Sequence, residues 1–266
     1  MSLHKNMVRL KQVAAWIVIL VLHFTDASTK KGIGLGRKHY FCQDEHVFNN
    51  VHWWYDWQLN PSTEHQQHNC SQPMKSGYVP MVWGAKSRDP TFHIPVHAQY
   101  VLGFNEPDHA QQSNLTPEAA AVAWKNLESK AGGKVLVSPA FTDFHWMDQF
   151  LHACNGCRVD HVATHVYSCN AVHTMDALHN LWNRYHKPIW LTEFSCPHTT
   201  SAEDQLNYMK DILPRLESAQ FVFRYAWFVT RRLPEEDAYV THSVSLLKPN
   251  SSQFTPLGQY YNNFMH

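Results

Sequence analysis

The 266-residue chain lacks a net charge, because 22 basic side chains balance 22 acidic ones. This balance gives no indication of a nucleic acid or another strongly charged partner. Low-complexity linkers, breaks in composition and sequence repeats are also absent, which favours one domain over several. No Gly-rich phosphate loop follows the first predicted strand, which argues against a dinucleotide-binding open sheet.

A long apolar run occurs once, at Val13–Leu22, and it is about half the length that a membrane-spanning helix requires. Basic residues precede the run, and the small residues Thr25 and Ala27 follow it. This layout predicts a secretory signal peptide, residues 1–27, that is cut after Ala27. We therefore expect a secreted, extracellular protein with no membrane association after cleavage. An uncleaved anchor is the alternative.

The chain contains six cysteines, and an even number in a secreted protein predicts disulfides. The spacing does not choose among the fifteen possible pairings. The segment CNGC, Cys154–Cys157, is a possible redox or metal motif, but in a secreted chain a small structural loop is favoured. Sequons at Asn69, Asn114 and Asn250 agree with passage through a glycosylating compartment.

Histidine is abundant, with 20 residues, so the charge of the protein is unusually sensitive to mild acid. Two histidine-rich segments, HQQHNC and HVATH, suggest zinc binding at first sight. Neither has the supporting carboxylate of an ordinary zinc motif. We therefore expect neither a metal nor another cofactor.

Short apolar or aromatic runs that end in polar residues recur along the chain and alternate with helical or loop stretches. Three helices are predicted: one from the N-cap Thr116 to about Gly132, one with Leu178, Leu181 and Trp182 on one face, and one from Ser201 that Pro214 interrupts. Alternating strands and helices imply parallel pairing. Eight strands predict a single (β/α)8 TIM barrel, residues 28–266, with a doubly wound open sheet as the alternative. The predicted strands begin at Gly32, Val51, Tyr78, Ala98, Lys134, Val159, Pro188 and Phe221.

Two glutamates follow apolar runs in the fourth and seventh predicted strands. Glu106 lies in LGFNEPD, and Glu193 ends IWLTE. Strand ends meet at the C-terminal face of a barrel, so we expect both carboxyls to face one pocket. In glycoside hydrolysis, one carboxyl donates a proton to the leaving oxygen, and the other attacks or directs water at the sugar carbon. Taken singly, Glu106 is also typical of a turn or a helix N-terminus, and Glu193 of a rim ion pair.

The segments GFNEPD, HVYS and WLTEF resemble the signatures of glycoside hydrolase family 128, within clan GH-A. The resemblance extends from about Val51 to Trp227. It implies a secreted (β/α)8 endo-β-1,3-glucanase that retains configuration, with a polysaccharide as its partner. It implies no cofactor, since side chains supply both the proton and the nucleophile. The oligomeric state is not readable from the sequence.

The resemblance also implies roles for single residues. Glu106 is expected to be the general acid/base and Glu193 the nucleophile. Asn105 is expected to bond the sugar 2-hydroxyl. His165 and Tyr167 lie two apart on one strand and so on one face, where they would bond sugar hydroxyls or orient Glu193.

Tryptophans near the strand ends are candidates for stacking on pyranose rings, although tryptophan is also an ordinary core residue. Trp57 is a candidate for sugar contact, and the resemblance implies that Trp227 forms the floor beneath the sugar. At least two of the strand tryptophans are expected only to pack the barrel: the set is Trp53, Trp54, Trp57, Trp83 and Trp227. One departure from the family pattern is Asp56, where the family usually has Asn.

The proposed chemistry requires Glu106 to be protonated when substrate binds, so we expect burial or the charge of Glu193 to raise its pKa. Glu193 must stay ionised, supported by a donor such as Tyr167 or a neighbour such as Arg224. Activity is expected to be highest in mild acid. Two alternatives remain: a non-catalytic glucan-binding protein, and a clan hydrolase for another linkage, such as β-1,4-mannan or β-1,4-glucan.

Overall fold

Parallel β-strands form the framework of the protein. The computed structural model describes residues 28–61, 67–84 and 91–265, so the predicted signal peptide lies outside the described residues. The described residues form a seven-stranded parallel sheet of order β2-β1-β7-β6-β5-β4-β3. The strands are β1 Lys31–Gly34, β2 Trp53–Tyr55, β3 Tyr100–Leu102, β4 Val135–Phe141, β5 His161–Tyr167, β6 Ile189–Ser195 and β7 Val222–Trp227.

The predicted third strand, from Tyr78, is not a regular strand. It is an extended segment between the two edge strands, joined to β2 by the bridge Trp54–Tyr78 and to β3 by the bridge Met81–Leu102. Its backbone bonds both sides, because Val79 N donates to the Trp54 carbonyl at 2.9 Å and Leu102 N donates to the Pro80 carbonyl at 2.9 Å. Pro80 has no N–H group, which prevents a continuous ladder.

Within the described residues, five α-helices follow strands β3 to β7 along the chain, and they cover the outer face of the sheet. They are α1 Pro117–Ala131, α2 Phe144–Cys154, α3 Ala171–Tyr185, α4 Ala202–Ser218 and α5 Pro256–Asn263. The predicted start of α1 is confirmed, since the Thr116 side chain accepts a hydrogen bond from Ala119 N, and Gly132 is its C-cap. The expected break at Pro214 is wrong: α4 continues to Ser218. Burial of Ile212, Leu213 and Leu216 outweighs the backbone hydrogen bond that Pro214 cannot form.

The apolar core has two layers, which follow the alternation of side chains along each strand. Trp190 on β6 belongs to the inner layer, enclosed by the curled sheet, together with Trp53 and Tyr55 from β2. Leu191, its neighbour in sequence, belongs to the layer between the sheet and the helices. The inner layer fills the lower part of the sheet, so chemically active side chains are left for its C-terminal rim.

All six cysteines form disulfides, which confirms the prediction: Cys42–Cys70, Cys154–Cys157 and Cys169–Cys196. Cys154–Cys157 closes a short loop at the end of α2, as expected for a structural element. Cys169–Cys196 joins the segments that follow β5 and β6. In the part of the chain that the structure describes, no helix is long and apolar enough to cross a membrane.

Candidate active site

The segment after β3 brings Glu106 to the C-terminal rim. Asn105 forms an isolated bridge with Ala140 on β4, and Glu106 N donates to the Ala140 carbonyl at 2.8 Å. Glu106 has a φ of 40°, a left-handed conformation that is uncommon outside glycine and that recurs at functional sites. Oδ2 of Asp108 accepts bonds from the backbone N–H groups of Thr142 at 2.8 Å and Asp143 at 2.7 Å. The Asn-Glu-Pro-Asp turn is therefore anchored to the neighbouring strand and its loop.

A register shift between β5 and β6 aims Glu193 at the same pocket. Thr164 pairs with Leu191, but the next residue, His165, pairs with Glu193, so Thr192 is the extra residue of a bulge. Paired residues of parallel strands project on the same side, and a bulge re-aims the side chains that follow it. The bulge thus places Glu193 beside His165.

Glu106, His165 and Glu193 form a triad of side chains around one point. His165 Nδ1 lies 2.7 Å from Glu106 Oε1, and His165 Nε2 lies 3.5 Å from Glu193 Oε1. One ring nitrogen of His165 and one carboxylate oxygen of each glutamate all lie within 4.8 Å of one another. The His165 side chain is fully buried, with 0% exposure. The two glutamates therefore meet at one rim of the sheet, on either side of His165.

Three ring side chains surround the Glu193 carboxylate. Trp57 Nε1 donates to Oε1 at 2.8 Å, and the Tyr167 hydroxyl donates to Oε2 at 2.5 Å. The Tyr55 hydroxyl lies 3.5 Å from Oε1 while it donates to the Thr192 carbonyl at 2.9 Å. Donors on both oxygens hold the carboxylate in one orientation and stabilise its ionised form.

Trp57 reaches Glu193 because β1 carries a glycine beneath it. A Cβ on Gly34 would lie 2.9 Å from the Trp57 ring, closer than side chains pack. Trp57 itself has a φ of 60°, and its ring packs against Tyr55 with 4.8 Å between centroids. The small residue on β1 therefore permits the Trp57–Glu193 hydrogen bond.

The charges of the triad differ from the sequence-based expectation. Burial acts to raise the pKa of Glu106, but the hydrogen bond and positive charge of His165 outweigh it and hold that pKa below its usual value. Burial raises the pKa of Glu193, against the opposing effects of His165, Tyr167 and Trp57. Burial lowers the pKa of His165, but the nearby carboxylates, Glu193 first, raise it overall. The expected rise of the Glu106 pKa is thus wrong, because the hydrogen bond and charge of His165 lower it instead.

Asn105 is poised beside the triad with an unused acceptor. It is 3% exposed, and its Oδ1 has no hydrogen-bond partner among the described residues, whereas its Nδ2 donates to Gln112 Oε1 at 3.3 Å. A buried acceptor without a partner is costly unless a ligand satisfies it. A sugar hydroxyl has the donor that Asn105 lacks.

Trp227 is not brought to the site. Its side chain is 0% exposed, its Nε1 donates to the Val244 carbonyl at 2.9 Å, and its ring packs against Phe194 with 5.1 Å between centroids. It projects from β7 into the layer between sheet and helices, so the expectation of a sugar floor is wrong for this residue. Phe228, the next residue, packs against Trp57 and Tyr167 instead, at 5.7 and 5.9 Å.

Arg224 is also placed elsewhere. It pairs with Trp190 on β6, three residues before Glu193, which corresponds to about 10 Å along the strand. Its guanidinium lies over the rings of Tyr100 at 4.4 Å and Trp190 at 4.9 Å. Burial lowers the pKa of Arg224. The suggested neighbour of Glu193 is therefore a component of the inner aromatic core.

Asp56, the departure from the family pattern, is turned away from the triad. It is 1% exposed, and its Oδ1 accepts hydrogen bonds from the Tyr78 hydroxyl at 2.7 Å and from Gln58 N at 3.2 Å. Asp56 thus ties the end of β2 to the irregular segment that begins at Tyr78.

Sequence reasoning missed two aromatic residues near the rim. Tyr239 is 50% exposed, and its ring stands edge-on to Tyr167 at 5.6 Å and to His198 at 4.7 Å. Tyr55 lies on β2 two residues after Trp53, and this alternation signals that both side chains project from the same face of the strand. Trp83 is 38% exposed, and its carbonyl accepts a bond from Asn105 N at 2.9 Å.

The triad has the residue types that could hold a metal ion, but several of its ligand atoms already have hydrogen-bond partners, whereas His165 Nε2 has none among the described residues. Nδ1 of His165 bonds Glu106, and both oxygens of Glu193 accept bonds from Trp57 and Tyr167. The histidines of HVATH do not converge, because the ring of His161 bonds Trp190 Nε1 at 2.8 Å. The arrangement favours an internal hydrogen-bond network.

Comparison with known proteins agrees with this geometry. The model of the glycosyl hydrolase catalytic core family matches residues 34–261. The crystal structure of a family 128, subgroup II, endo-β-1,3-glucanase from Sorangium cellulosum is similar, with a TM-score of 0.74 and 33% identity, and the match covers 88% of this chain and 98% of that one. A subgroup I endo-β-1,3-glucanase from Amycolatopsis mediterranei, in complex with laminaritriose, has a TM-score of 0.71 and 26% identity over 88% of this chain and 99% of that one.

A curated relative is the alkali-sensitive linkage protein 1 of Schizosaccharomyces pombe, which is 27% identical over 197 residues. The match covers 70% of this chain but only 36% of that protein, so the chain spans about a third of the relative's length. With a family model that covers most of the chain, and a carboxylate pair at the rim of its sheet, this chain belongs to the glycosyl hydrolase catalytic core family and is a glycoside hydrolase of family 128.

Proposed function

We propose that this protein is a secreted endo-β-1,3-glucanase that retains anomeric configuration, with Glu106 as acid/base and Glu193 as nucleophile. The observation that carries the proposal is the approach of the two carboxylates, with an oxygen of each within 4.8 Å of the other. Retaining enzymes separate the two carboxyl groups by about 5–5.5 Å, whereas inverting enzymes need about 6.5–9.5 Å to admit a water between them.

The environments of the two carboxyls suit these roles. Glu193 is fixed by Trp57 and Tyr167, so one lone pair direction is held for attack on the sugar carbon. Glu106 is freer, with His165 as its bonded neighbour, and it is the more exposed of the two, at 13% against 6% of the side chain. In the first step Glu193 attacks the anomeric carbon while Glu106 protonates the leaving oxygen; in the second, Glu106 deprotonates the water that releases the sugar.

The substrate is proposed from the relatives and from the unused acceptor. The glucanases from Sorangium cellulosum and Amycolatopsis mediterranei are described as endo-acting on β-1,3-glucan, and the latter was crystallised with laminaritriose. Asn105 Oδ1 would accept the 2-hydroxyl hydrogen of the sugar at the cleaved bond, a contact that strengthens in the transition state. Trp57, His165 and Tyr167 line the same sugar position.

The fold is proposed to be a closed (β/α)8 barrel, residues 28–266. The segment that starts at Tyr78 bonds to β2 on one side and β3 on the other, and it would act as the eighth strand in spite of Pro80. In such a barrel the carboxyl ends of the strands form the catalytic face, where Glu106 and Glu193 lie.

Secretion is proposed from the N-terminal sequence and from the disulfides. Three disulfides are typical of a chain that folds in an oxidising compartment. The three sequon asparagines, Asn69, Asn114 and Asn250, are all exposed and therefore available to a glycosylating enzyme. Expression of the full chain in a secreting eukaryotic host should give a glycosylated protein in the medium with a new N-terminus at Ser28; retention of residues 1–27 would contradict it.

The catalytic roles are tested by Glu106→Gln and Glu193→Gln, each assayed on laminarin together with wild type. Both should lose at least about 100-fold in kcat while the melting temperature stays near that of wild type. Glu118→Gln is the matched control, because Glu118 is an exposed carboxylate in the first turn of α1. Near-normal turnover by either site variant would reject the role given to that residue.

The linkage is tested with a panel of laminarin, curdlan, β-1,4-mannan and β-1,4-glucan, read by product chain length. We expect oligosaccharides of several lengths from the β-1,3-glucans. Exclusive release of glucose would reject endo action. Cleavage of only the β-1,4 polymers would reject the substrate, and binding without release of reducing ends would favour a glucan-binding protein.

A further inference from the structure

His165 touches both catalytic carboxyls at once. Its Nδ1 is 2.7 Å from Glu106 Oε1, and its Nε2 faces Glu193 Oε1 at 3.5 Å without forming a hydrogen bond. The ring is inaccessible to solvent, so a proton on it is shielded from water and lies closest to the carboxylates of Glu106 and Glu193. One of these neighbours, Glu106, is the group that must donate a proton.

The charged groups that act on His165 are acidic on every side. Glu106 and Asp108 belong to the segment after β3, and Glu193 belongs to β6. Tyr167, on the same strand as His165, stays neutral, because burial and the charge of Glu193 raise its pKa well above the usual value. Two carboxylates and one imidazolium carry a total charge of −1.

The same total charge describes the state that reacts. A protonated Glu106, a neutral His165 and an ionised Glu193 also sum to −1, and they differ from the free enzyme only in the position of one proton. We propose that His165 stores the proton of the general acid and passes it from Nδ1 to Oε1 of Glu106 when substrate enters. This inference rests on the proposed function, because it assumes that Glu106 is the acid/base.

The transfer conserves all atoms and charges. The Nδ1–H bond of the imidazolium breaks and the Oε1–H bond of Glu106 forms, across a contact of 2.7 Å. Substrate expels water from the cavity, which disfavours the separated charges and favours the neutral pair. The terminal torsion of a glutamate is soft, so the carboxyl can turn to present its proton to the leaving oxygen. In the second step Glu106 regains a proton from water and returns it to His165.

The consequence concerns the alkaline limb of the pH profile, where kcat/KM falls as the pH rises. This fall should reflect the titration of the whole triad and not of Glu106 alone. In wild type, the last proton of the triad is held jointly by His165 and Glu106. His165→Asn keeps an N–H donor toward Glu106 but cannot store a proton. The alkaline limb of this variant should therefore move to lower pH by about one unit or more. His161→Asn, at the other histidine of β5, is the control and should leave the limb in place.

A purely structural role of His165 predicts a different result: a loss of activity by the same factor at every pH, with the limb unmoved. That outcome would overturn the proposal. If wild type itself failed to hydrolyse β-1,3-glucan at any pH, the proposed function would fail instead, and the two failures are therefore distinguishable.

A second measurement does not depend on any variant. Nitrogen-15 NMR of the wild-type imidazoles at about pH 6 should show His165 protonated on both ring nitrogens in the free enzyme. Saturation with a thio-linked laminaritetraose, which cannot be cleaved, should convert it to neutral imidazole without net proton uptake, as measured by calorimetry in buffers of different ionisation heat. A neutral His165 in the free enzyme, or uptake of one proton on binding, would refute the proposal that His165 holds the proton of the general acid.

Discussion

The hydroxyl of Tyr167 donates to Oε2 of Glu193 at 2.5 Å, on the carboxylate oxygen opposite the one that Trp57 bonds. Tyr167 and Glu193 lie on neighbouring strands, two residues apart in register, since Tyr167 pairs with Ser195. This contact fixes the proposed nucleophile and opposes the rise of its pKa that burial causes.

Tyr167→Phe removes this bond and keeps the ring. A hydrogen bond to a charged group contributes about 1.5–3 kcal/mol, so kcat should fall roughly 10- to 100-fold. The pKa of Glu193 should rise further, and the acid limb of the pH profile should move to higher pH. Tyr185→Phe is the control, because its hydroxyl bonds the carboxylate of Asp148 between α2 and α3. Equal effects of the two substitutions on kcat would contradict the role of Tyr167.

The pH profile of kcat/KM should be bell-shaped with its maximum in mild acid. Glu193 must be ionised to attack, and its pKa is raised above the ordinary 4.5, so activity is lost as the pH falls through that raised value. The triad must keep one proton, and the pKa of His165 is raised above 6.5, so activity is lost as the pH rises through it. Initial rates on laminarin across pH 3 to 10 measure both limbs. A flat profile from about pH 4 to 9 would contradict the pairing.

Removal of either of two disulfides should lower stability by a similar amount, but removal of only one of them should lower activity. Cys169–Cys196 and Cys42–Cys70 close chain segments of similar length, with sequence separations of 27 and 28, so loss of either should lower the free energy of unfolding by about 3 kcal/mol. Cys169 follows Tyr167 by two residues, and Cys196 follows Glu193 by three. The Cys169→Ser/Cys196→Ser pair should therefore also lower kcat at temperatures where both proteins are folded. Denaturant unfolding and laminarin kinetics measure the two effects; equal kcat values for both double variants would count against a link between this disulfide and the site.

Two tryptophans should respond in opposite ways to replacement by phenylalanine. Trp57→Phe removes the indole N–H that bonds Glu193, so kcat/KM should fall with little change in melting temperature. Trp227→Phe leaves a gap in the outer core layer, so the free energy of unfolding should fall by about 1–3 kcal/mol while KM is unchanged. A rise in KM for Trp227→Phe would restore it as a sugar contact.

The meeting of Glu106 and Glu193 was predictable because parallel strands present their carboxyl ends on one rim, whatever the details of packing. The direction of single side chains was harder to predict, because a shift of one residue exchanges the two faces of a strand. Trp227 and Arg224 were misplaced for this reason. The bulge at Thr192, which aims Glu193, leaves no mark in the sequence.

The charge distribution was also beyond the sequence. Two carboxyls alone predict a raised pKa on the proton donor. Because His165 lies beside both groups, the pKa of Glu106 is lowered and that of Glu193 is raised. This arrangement depends on the register of β5 and β6. Pro80 was visible in the sequence as an obstacle to strand pairing, yet the hydrogen bonds on either side of it depend on how the sheet curls.

The most direct test of a double displacement by Glu106 and Glu193 is the anomeric configuration of the first sugar released. Proton NMR can follow hydrolysis of a short β-1,3-gluco-oligosaccharide within minutes, before mutarotation mixes the anomers. The spacing of the carboxylates predicts that the new reducing end appears first as the β anomer. An initial α signal would mean that water, and not Glu193, attacks the sugar carbon.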